Sequence, residues 1–299
     1  MPASFRGLAL CAGAGGLELG LAIARPDYRT VAYVERAPAA IAVLRARMRD
    51  RCLHRAPVFD DLRTFDGRRW RGRVDVLTAG YPCQPFSTNG SRRGFDDPRN
   101  LWPHVARIVG QARPAELLLE NVAAHLTFGF PLVARDLRRL GYRFAAGVFS
   151  AGEVGAAHER KRLFVLAHAD RLRPRRPHPH AARERASRLA AGRADGHAGH
   201  PADGGGDLVV PDFAPGPRDF QAWRRLLAAR PELEPTLGRD APGMAGWMDR
   251  QRLAGNGVCS LAAAYAYTSL SAVLDGTPAP WLAGHPLGRA VARPGQGPA

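Results

Sequence analysis

One cysteine of this chain stands between two prolines, in Gly80-Tyr81-Pro82-Cys83-Gln84-Pro85. Proline fixes φ and lacks a backbone donor, so the segment reads as a braced loop rather than a helix or central strand. It follows a short apolar run, 74–79, that reads as a strand. A rigid loop that presents a thiol at the end of a strand is what a covalent nucleophile needs. The usual fate of a free cysteine is burial as a small inert hydrophobe, and prolines on both sides argue against that here. A second reactive group is Glu120, which ends the run Leu117-Leu118-Leu119. A carboxylate at the end of an apolar strand is partly desolvated, which raises its pKa and suits it to hold or deliver a proton. A third is the cluster His158-Glu159-Arg160-Lys161-Arg162, although a charge run taken alone is usually a solvated face.

These groups need elements to hold them. Strands are expected at 5–11, 30–34, 74–79, 116–119, 143–148 and 163–167, each short and strongly apolar, as for strands covered on both faces. Helices are expected at 17–24, 38–49, 101–111 and 131–140, the last stopped by Gly141. Such alternation predicts an α/β fold with a mainly parallel sheet and helices on both faces. In such sheets ligands bind beyond the carboxyl ends of the strands. There the sequence places Ala12-Gly13-Ala14-Gly15-Gly16 after the first strand, Glu35 after the second and Asp60-Asp61 near the third position. Glycines allow a tight turn and close approach of a ligand, and a carboxylate after the second strand suits a ribose diol.

The pattern changes near Asp170. Residues 171–206 are rich in Arg, His, Pro and Gly and read as a flexible basic segment. A modest lobe anchored by Phe213, Phe220 and Trp223 is expected next. A helix over 260–274 should follow, with Leu261, Ala264, Tyr265, Thr268 and Ala272 on one face. The expected organisation is a catalytic domain at 1–170 and a basic linker with a small lobe at 171–240. A segment at 241–276 returns to the first domain, and a tail occupies 277–299.

In order, spacing and placement these residues resemble the DNA cytosine-5 methyltransferase family. The Gly-rich turn is similar to its first motif, Pro82-Cys83-Gln84 to its nucleophile loop and Glu120-Asn121-Val122 to its acid motif. Asp97-Pro98-Arg99-Asn100-Leu101, Arg160 with Arg162, and Gly255-Asn256-Gly257-Val258 resemble three further motifs. The resemblance covers roughly 5–170 and 245–275. Departures are Ala9, Leu10 and Cys11 in place of the usual Asp-Leu-Phe, His158 for a Gln, and Tyr81 for a Pro.

The resemblance implies a Rossmann-like S-adenosylmethionine-dependent methyltransferase fold with a small irregular target-recognition lobe. It implies S-adenosylmethionine as cofactor, held by Cys11, Gly13, Gly15, Gly16, Glu35, Asp61, Leu62, Pro82, Leu101, Asn256 and Gly257. Cys83 would add to carbon 6 of cytosine, which makes carbon 5 reactive, while Glu120 holds or delivers a proton at ring nitrogen 3. Arg162 would hydrogen-bond the cytosine carbonyl oxygen, and Arg160 would position Glu120 or a phosphate. The substrate implied is double-stranded DNA with its target base flipped out. The implied enzyme is a cytoplasmic monomer, and a cognate restriction endonuclease is a further partner the resemblance allows. Competing readings are a cytosine methyltransferase of transfer RNA, a catalytically weak DNA-binding relative, and a nicotinamide oxidoreductase. The last leaves the Cys83 and Glu120 motifs unexplained.

Bulk properties agree. The 299 residues carry 43 basic and 27 acidic side chains, for a formal net charge of +16. A surplus of that size favours a polyanionic partner, because phosphate contacts release counterions. Lys161 is the only lysine, so coding bias toward arginine contributes to the excess. Cys11, Cys52, Cys83 and Cys259 form no CxxC pair, which argues against a zinc site. Glu18 and the glycines before it break the apolar start, so no signal peptide is expected, and no apolar run is long enough to span a bilayer.

Overall fold

The computed structural model of the chain describes residues 4–82, 100–156, 158–170, 220–229 and 257–277. Cys83, Asn256 and most of the expected recognition lobe lie outside these residues. The strands are β1 (Phe5–Leu10), β2 (Tyr28–Val34), β3 (Val58–Phe59), β4 (Val76–Ala79), β5 (Glu116–Val122), β6 (Tyr142–Phe149) and β7 (Arg162–Ala169). They form one sheet in the order β3-β2-β1-β4-β5-β7-β6. β1 through β5 pair in parallel, while β7 runs antiparallel to both its neighbours. The expected mainly parallel sheet is present, and the reversed β7 brings Arg162 to the edge where β5 ends.

The helices are α1 (Gly16–Ala24), α2 (Pro38–Arg49), α3 (Trp102–Ala112), α4 (His125–Phe128), α5 (Phe130–Arg139), α6 (Phe220–Ala229) and α7 (Ser260–Leu274). On one face of the sheet, α3 and α5 contribute Val105, Ile108, Val133 and Leu137 to a core with Leu8, Leu77, Leu117 and Leu119. On the other, α1 and α7 contribute Leu21, Ala266, Tyr267 and Leu270 to a core with Val76, Leu118, Phe164 and Leu166. Successive side chains of a strand face opposite ways, which is why Leu118 and its two neighbours fall in different cores.

Three differences from the sequence reading have physical causes. β1 stops at Leu10 rather than Cys11, because Cys11 turns to φ 49°. β3, only two residues long, and α4 were not expected; both are too short to show a period. The buried side of α7 is formed by Ala262, Ala263, Ala266, Tyr267, Leu270 and Leu274, whereas Leu261, Tyr265, Thr268 and Ala272 of the expected face are only partly buried. α7 is apolar nearly all round, so its packing partners choose the face. Tyr267 Oη donates to Glu116 Oε2 at 2.7 Å, Arg143 Nη1 donates to the Leu274 carbonyl at 2.9 Å, and Gly20 of α1 leaves room for Ala263.

Candidate active site

Alternation along β5 decides what surrounds Glu120. Glu120 shares the face of Leu118, and Asn121 shares that of Leu117 and Leu119. Across the antiparallel pairing, Val122 is opposite Arg162 and Glu120 is opposite Phe164. Glu120 and Arg162 are therefore diagonal neighbours on one face, within reach of long side chains. Arg162 Nε lies 3.0 Å from Glu120 Oε1. Gly80 sits on the other side, where a Cβ would stand 3.3 Å from Glu120 Oε2. The carboxyl is buried, and desolvation pushes its pKa up to about 7, against the opposing pull of Arg162 and Arg160. Burial outweighs the ion pair because Arg162 is itself partly exposed and water screens its charge.

Asn121 serves the loop. Its Nδ2 donates to the Tyr81 carbonyl at 3.0 Å, and its Oδ1 accepts from the Val122 amide at 2.9 Å. Tyr81 is buried, its hydroxyl 3.0 Å from His125 Nε2 and its ring 5.4 Å from that of Trp102. Trp102 Nε1 donates in turn to Asp136 Oδ2 at 3.0 Å. The chain is thus pinned on three sides two residues before Cys83. Pro82, the last described residue before the thiol, is exposed.

Arg160, expected to position Glu120 or a phosphate, donates from Nη2 to the Gly257 carbonyl, and its charge also acts on Glu120. The ion pair with Glu120 belongs to Arg162. Arg160 itself adopts φ 39°, in the left-handed region, just before β7. Burial and the neighbouring Arg162 charge lower the Arg160 pKa from its ordinary value.

The Gly-rich turn lies beside this site. Gly13 has φ 54° and Gly15 φ 80°, conformations that favour glycine. Glu35 Oε2 accepts from the Gly13 amide at 2.8 Å, and its Oε1 accepts from Ala37 at 2.8 Å. The carboxylate ties the turn to the end of β2 and still has lone pairs for a ligand. A Cβ on Gly13 would meet nothing within 4 Å, so the turn is open there, whereas Gly16 is filled by Val258. Gly16 therefore joins the C-terminal segment, at Val258, to the turn, while the Gly257 carbonyl accepts from Arg160. Cys11 lies just before the turn, its thiol pushed up to about 12 by burial and by Glu35. Asp61 Oδ1 accepts from the Arg63 amide at 2.8 Å. Leu62 is buried in the core, and Leu101, partly buried, precedes α3.

Two groups escaped the sequence reading. Glu18, noted only as a break in the apolar start, is buried under the Gly-rich turn. Its Oε1 accepts from Thr78 Oγ1 at 2.6 Å, its Oε2 has no partner among the described residues, and burial pushes its pKa up to about 7. Its place in the first turn after a Gly-rich strand end, i+2 from Gly16, was the available signal. His125 had none beyond its nearness to Asn121. It is buried, its pKa lowered to about 4 by desolvation, so it stays neutral.

The sequence profile of the C-5 cytosine-specific DNA methylase family matches residues 5–192, more than half of the chain. The chain is 34% identical over 167 residues to the Type II methyltransferase M.NgoMIV of Neisseria gonorrhoeae, covering 54% of this chain and 51% of the relative. It is 35% identical over 167 residues to M.CviJI of Paramecium bursaria Chlorella virus IL3A, covering 55% and 43% respectively. The matched region thus spans about half the length of these relatives. Among solved structures, a DNMT2 variant of Spodoptera frugiperda aligns with TM-score 0.48 at 22% identity, over 56% of this chain and 51% of that one. With its nucleophile-loop, acid and arginine motifs inside the matched residues, this chain belongs to the C-5 cytosine-specific DNA methylase family.

Proposed function

We propose that the chain transfers a methyl group from S-adenosylmethionine to carbon 5 of a flipped-out cytosine in double-stranded DNA. The observation that carries this reading is the pairing of buried Glu120 with Arg162, one residue from the Asn121 that anchors the chain leading to Cys83. The Cys83 thiolate adds to carbon 6, and the electron pair moves into the ring as Glu120 holds a proton at nitrogen 3. Arg162, beside Glu120, hydrogen-bonds the carbonyl oxygen at carbon 2. Once carbon 5 carries the methyl group, its proton leaves to a base, the carbon–sulfur bond breaks and the thiolate returns.

S-adenosylmethionine supplies the electrophilic methyl group when bound. The open turn at Gly13 and the Glu35 carboxylate facing it suit the ligand's ribose hydroxyls. Arg160 holds the Gly257 segment against this pocket. The matched relatives bear Type II names, which supports a restriction–modification setting with a cognate endonuclease. A cytoplasmic monomer remains part of the reading. No helix among the described residues is long and apolar enough to cross a membrane.

The test is expression in a host free of cytosine methylation, followed by sequencing of 5-methylcytosine. Methylated cytosines in one recurring sequence are expected. Label appearing in transfer RNA and not in DNA would assign the RNA substrate instead, and none in either would overturn the reading.

A further inference from the structure

Tyr81 stands where the resemblance expects a proline, so whatever its hydroxyl does is this chain's own. The ring is buried between two others. Its centroid lies 5.4 Å from that of Trp102, tilted by 46°, and 5.6 Å from that of His125, edge to face at 75°. Ring contacts do little to fix a side chain along its long axis, whereas a hydrogen bond is directional. The hydroxyl supplies that direction, 3.0 Å from His125 Nε2. His125 has no room to retreat, since a Cβ on Gly129 would collide with its ring, and the Gly129 amide donates to the His125 carbonyl at 3.0 Å. Burial keeps the imidazole neutral, its pKa lowered to about 4, so this bond does not titrate alongside Glu120. At the other end of the residue, Asn121 Nδ2 donates to the Tyr81 carbonyl at 3.0 Å. Asn121 and His125 both belong to the segment that carries Glu120, because β5 ends at Val122 and α4 opens at His125. Tyr81 is therefore held at its backbone and at its tip by the acid's own segment. Pro82, with φ fixed by its ring, is the one residue between Tyr81 and Cys83.

We propose that His125 is a positioning residue for the nucleophile, acting through the Tyr81 hydroxyl to register Cys83 against Glu120. The inference rests on the cytosine-methylation reading above. In that reaction carbon 6 and nitrogen 3 of one ring are met together, so the separation of thiol and acid matters more than the place of either in the fold. A misplacement of about 1 Å at a reacting centre can cost on the order of 10²-fold in rate. A bond to the carbonyl alone lets Tyr81 pivot about it, and the bond at the far end of the ring removes that freedom. Trp102, itself held by Asp136 Oδ2 at 3.0 Å, gives the ring a wall and not a tie.

The experiment uses the full chain and a duplex carrying its mapped target. Two rates are measured: methyl transfer, and loss of tritium from carbon 5 of the target cytosine without S-adenosylmethionine. The second reports thiol addition by itself. The Cys83 sulfur bonds to carbon 6, carbon 5 takes a proton from water and gives up its triton, and the carbon–sulfur bond then breaks. Tyr81→Phe should lower both rates by about tenfold or more, while S-adenosylmethionine affinity and KM for DNA stay within about twofold. His125→Gln, whose amide reaches the position of Nε2, should keep both rates within about threefold of wild type. Tyr81→Phe/His125→Leu replaces both buried polar groups by apolar ones, which avoids leaving one of them unpaired. It should melt close to wild type and still be as slow as Tyr81→Phe. Wild-type rates in Tyr81→Phe or in the double variant, beside a wild-type protein that methylates DNA, overturn this inference and leave the methylation reading standing. A rate loss matched by an equal loss of cofactor or DNA affinity also overturns it, because the pair would then shape the pocket and not place the thiol. A wild-type protein that neither methylates nor exchanges overturns both.

Discussion

Arg162 Nε and Glu120 Oε1 are 3.0 Å apart, yet the Glu120 carboxyl holds its proton up to about pH 7. An exposed ion pair would keep such a carboxyl well below that. Here the edge of β5 withdraws the acid from water, while Arg162 remains partly hydrated. The balance leaves a group that can exchange a proton near neutrality and stay oriented in both states.

That balance sets a pH dependence. The protonated form of Glu120 prevails below about 7 and is lost as pH rises through that value. If the proton is needed at nitrogen 3, kcat/KM at pH 9 should fall well below its value at pH 7, after allowance for Cys83 ionisation. Glu120→Gln cannot deliver the proton, and its rate should drop by roughly 10²-fold or more, in line with general acid catalysis. A basic limb that persists unchanged in Glu120→Gln would assign it to another group.

Cys83→Ser should abolish methyl transfer and leave the melting temperature unchanged. Incorporation of tritiated methyl groups measures this directly. Activity within about tenfold of wild type, under about 1.4 kcal/mol of barrier, would falsify the covalent mechanism. DNA with 5-fluorocytosine at the target should trap the wild-type protein as a band on a denaturing gel, dependent on S-adenosylmethionine and absent from Cys83→Ser.

Glu18 should make the fold sensitive to alkali. Its folded pKa of about 7 lies above the ordinary carboxylate value of 4.5. The folded state thus binds the proton more tightly than the unfolded chain does. This contribution is fully present below about pH 4.5, declines as pH rises, and is gone above about 7. The difference corresponds to about 3 kcal/mol. Glu18→Gln keeps an acceptor for Thr78 and never ionises, so it should melt several degrees above wild type at pH 8.5 and close to it at pH 5. Equal melting temperatures at pH 8.5 would show that Glu18 ionises in the fold without cost.

Glu35→Ala should weaken S-adenosylmethionine binding by tenfold or more in calorimetry, with a smaller effect on DNA affinity. Because Glu35 also accepts from Gly13 and Ala37, a modest fall in melting temperature is expected as well. Unchanged cofactor affinity would remove Glu35 from the ribose site and leave it only the turn.

The sequence alone determined which residues can react and roughly where the sheet runs. Pro82 and Pro85 constrain the backbone whatever surrounds them, and Leu117-Leu118-Leu119 ending at Glu120 marks a buried strand with an acid at its tip. Short apolar runs separated by helical periods carry this signal because backbone sterics and burial act within a few residues. Partnerships needed the tertiary structure. That Arg162 makes an ion pair with Glu120 follows from the antiparallel register of β7 against β5. The buried face of α7 depends on Glu116 and Gly20, more than 100 residues away along the chain. Glu18 looks like any helix-start acid until α1 is laid on the sheet and Thr78 comes within 2.6 Å. Long-range pairing and the water it excludes set these pKa values and contacts, and neither is written in the spacing of residues along the chain.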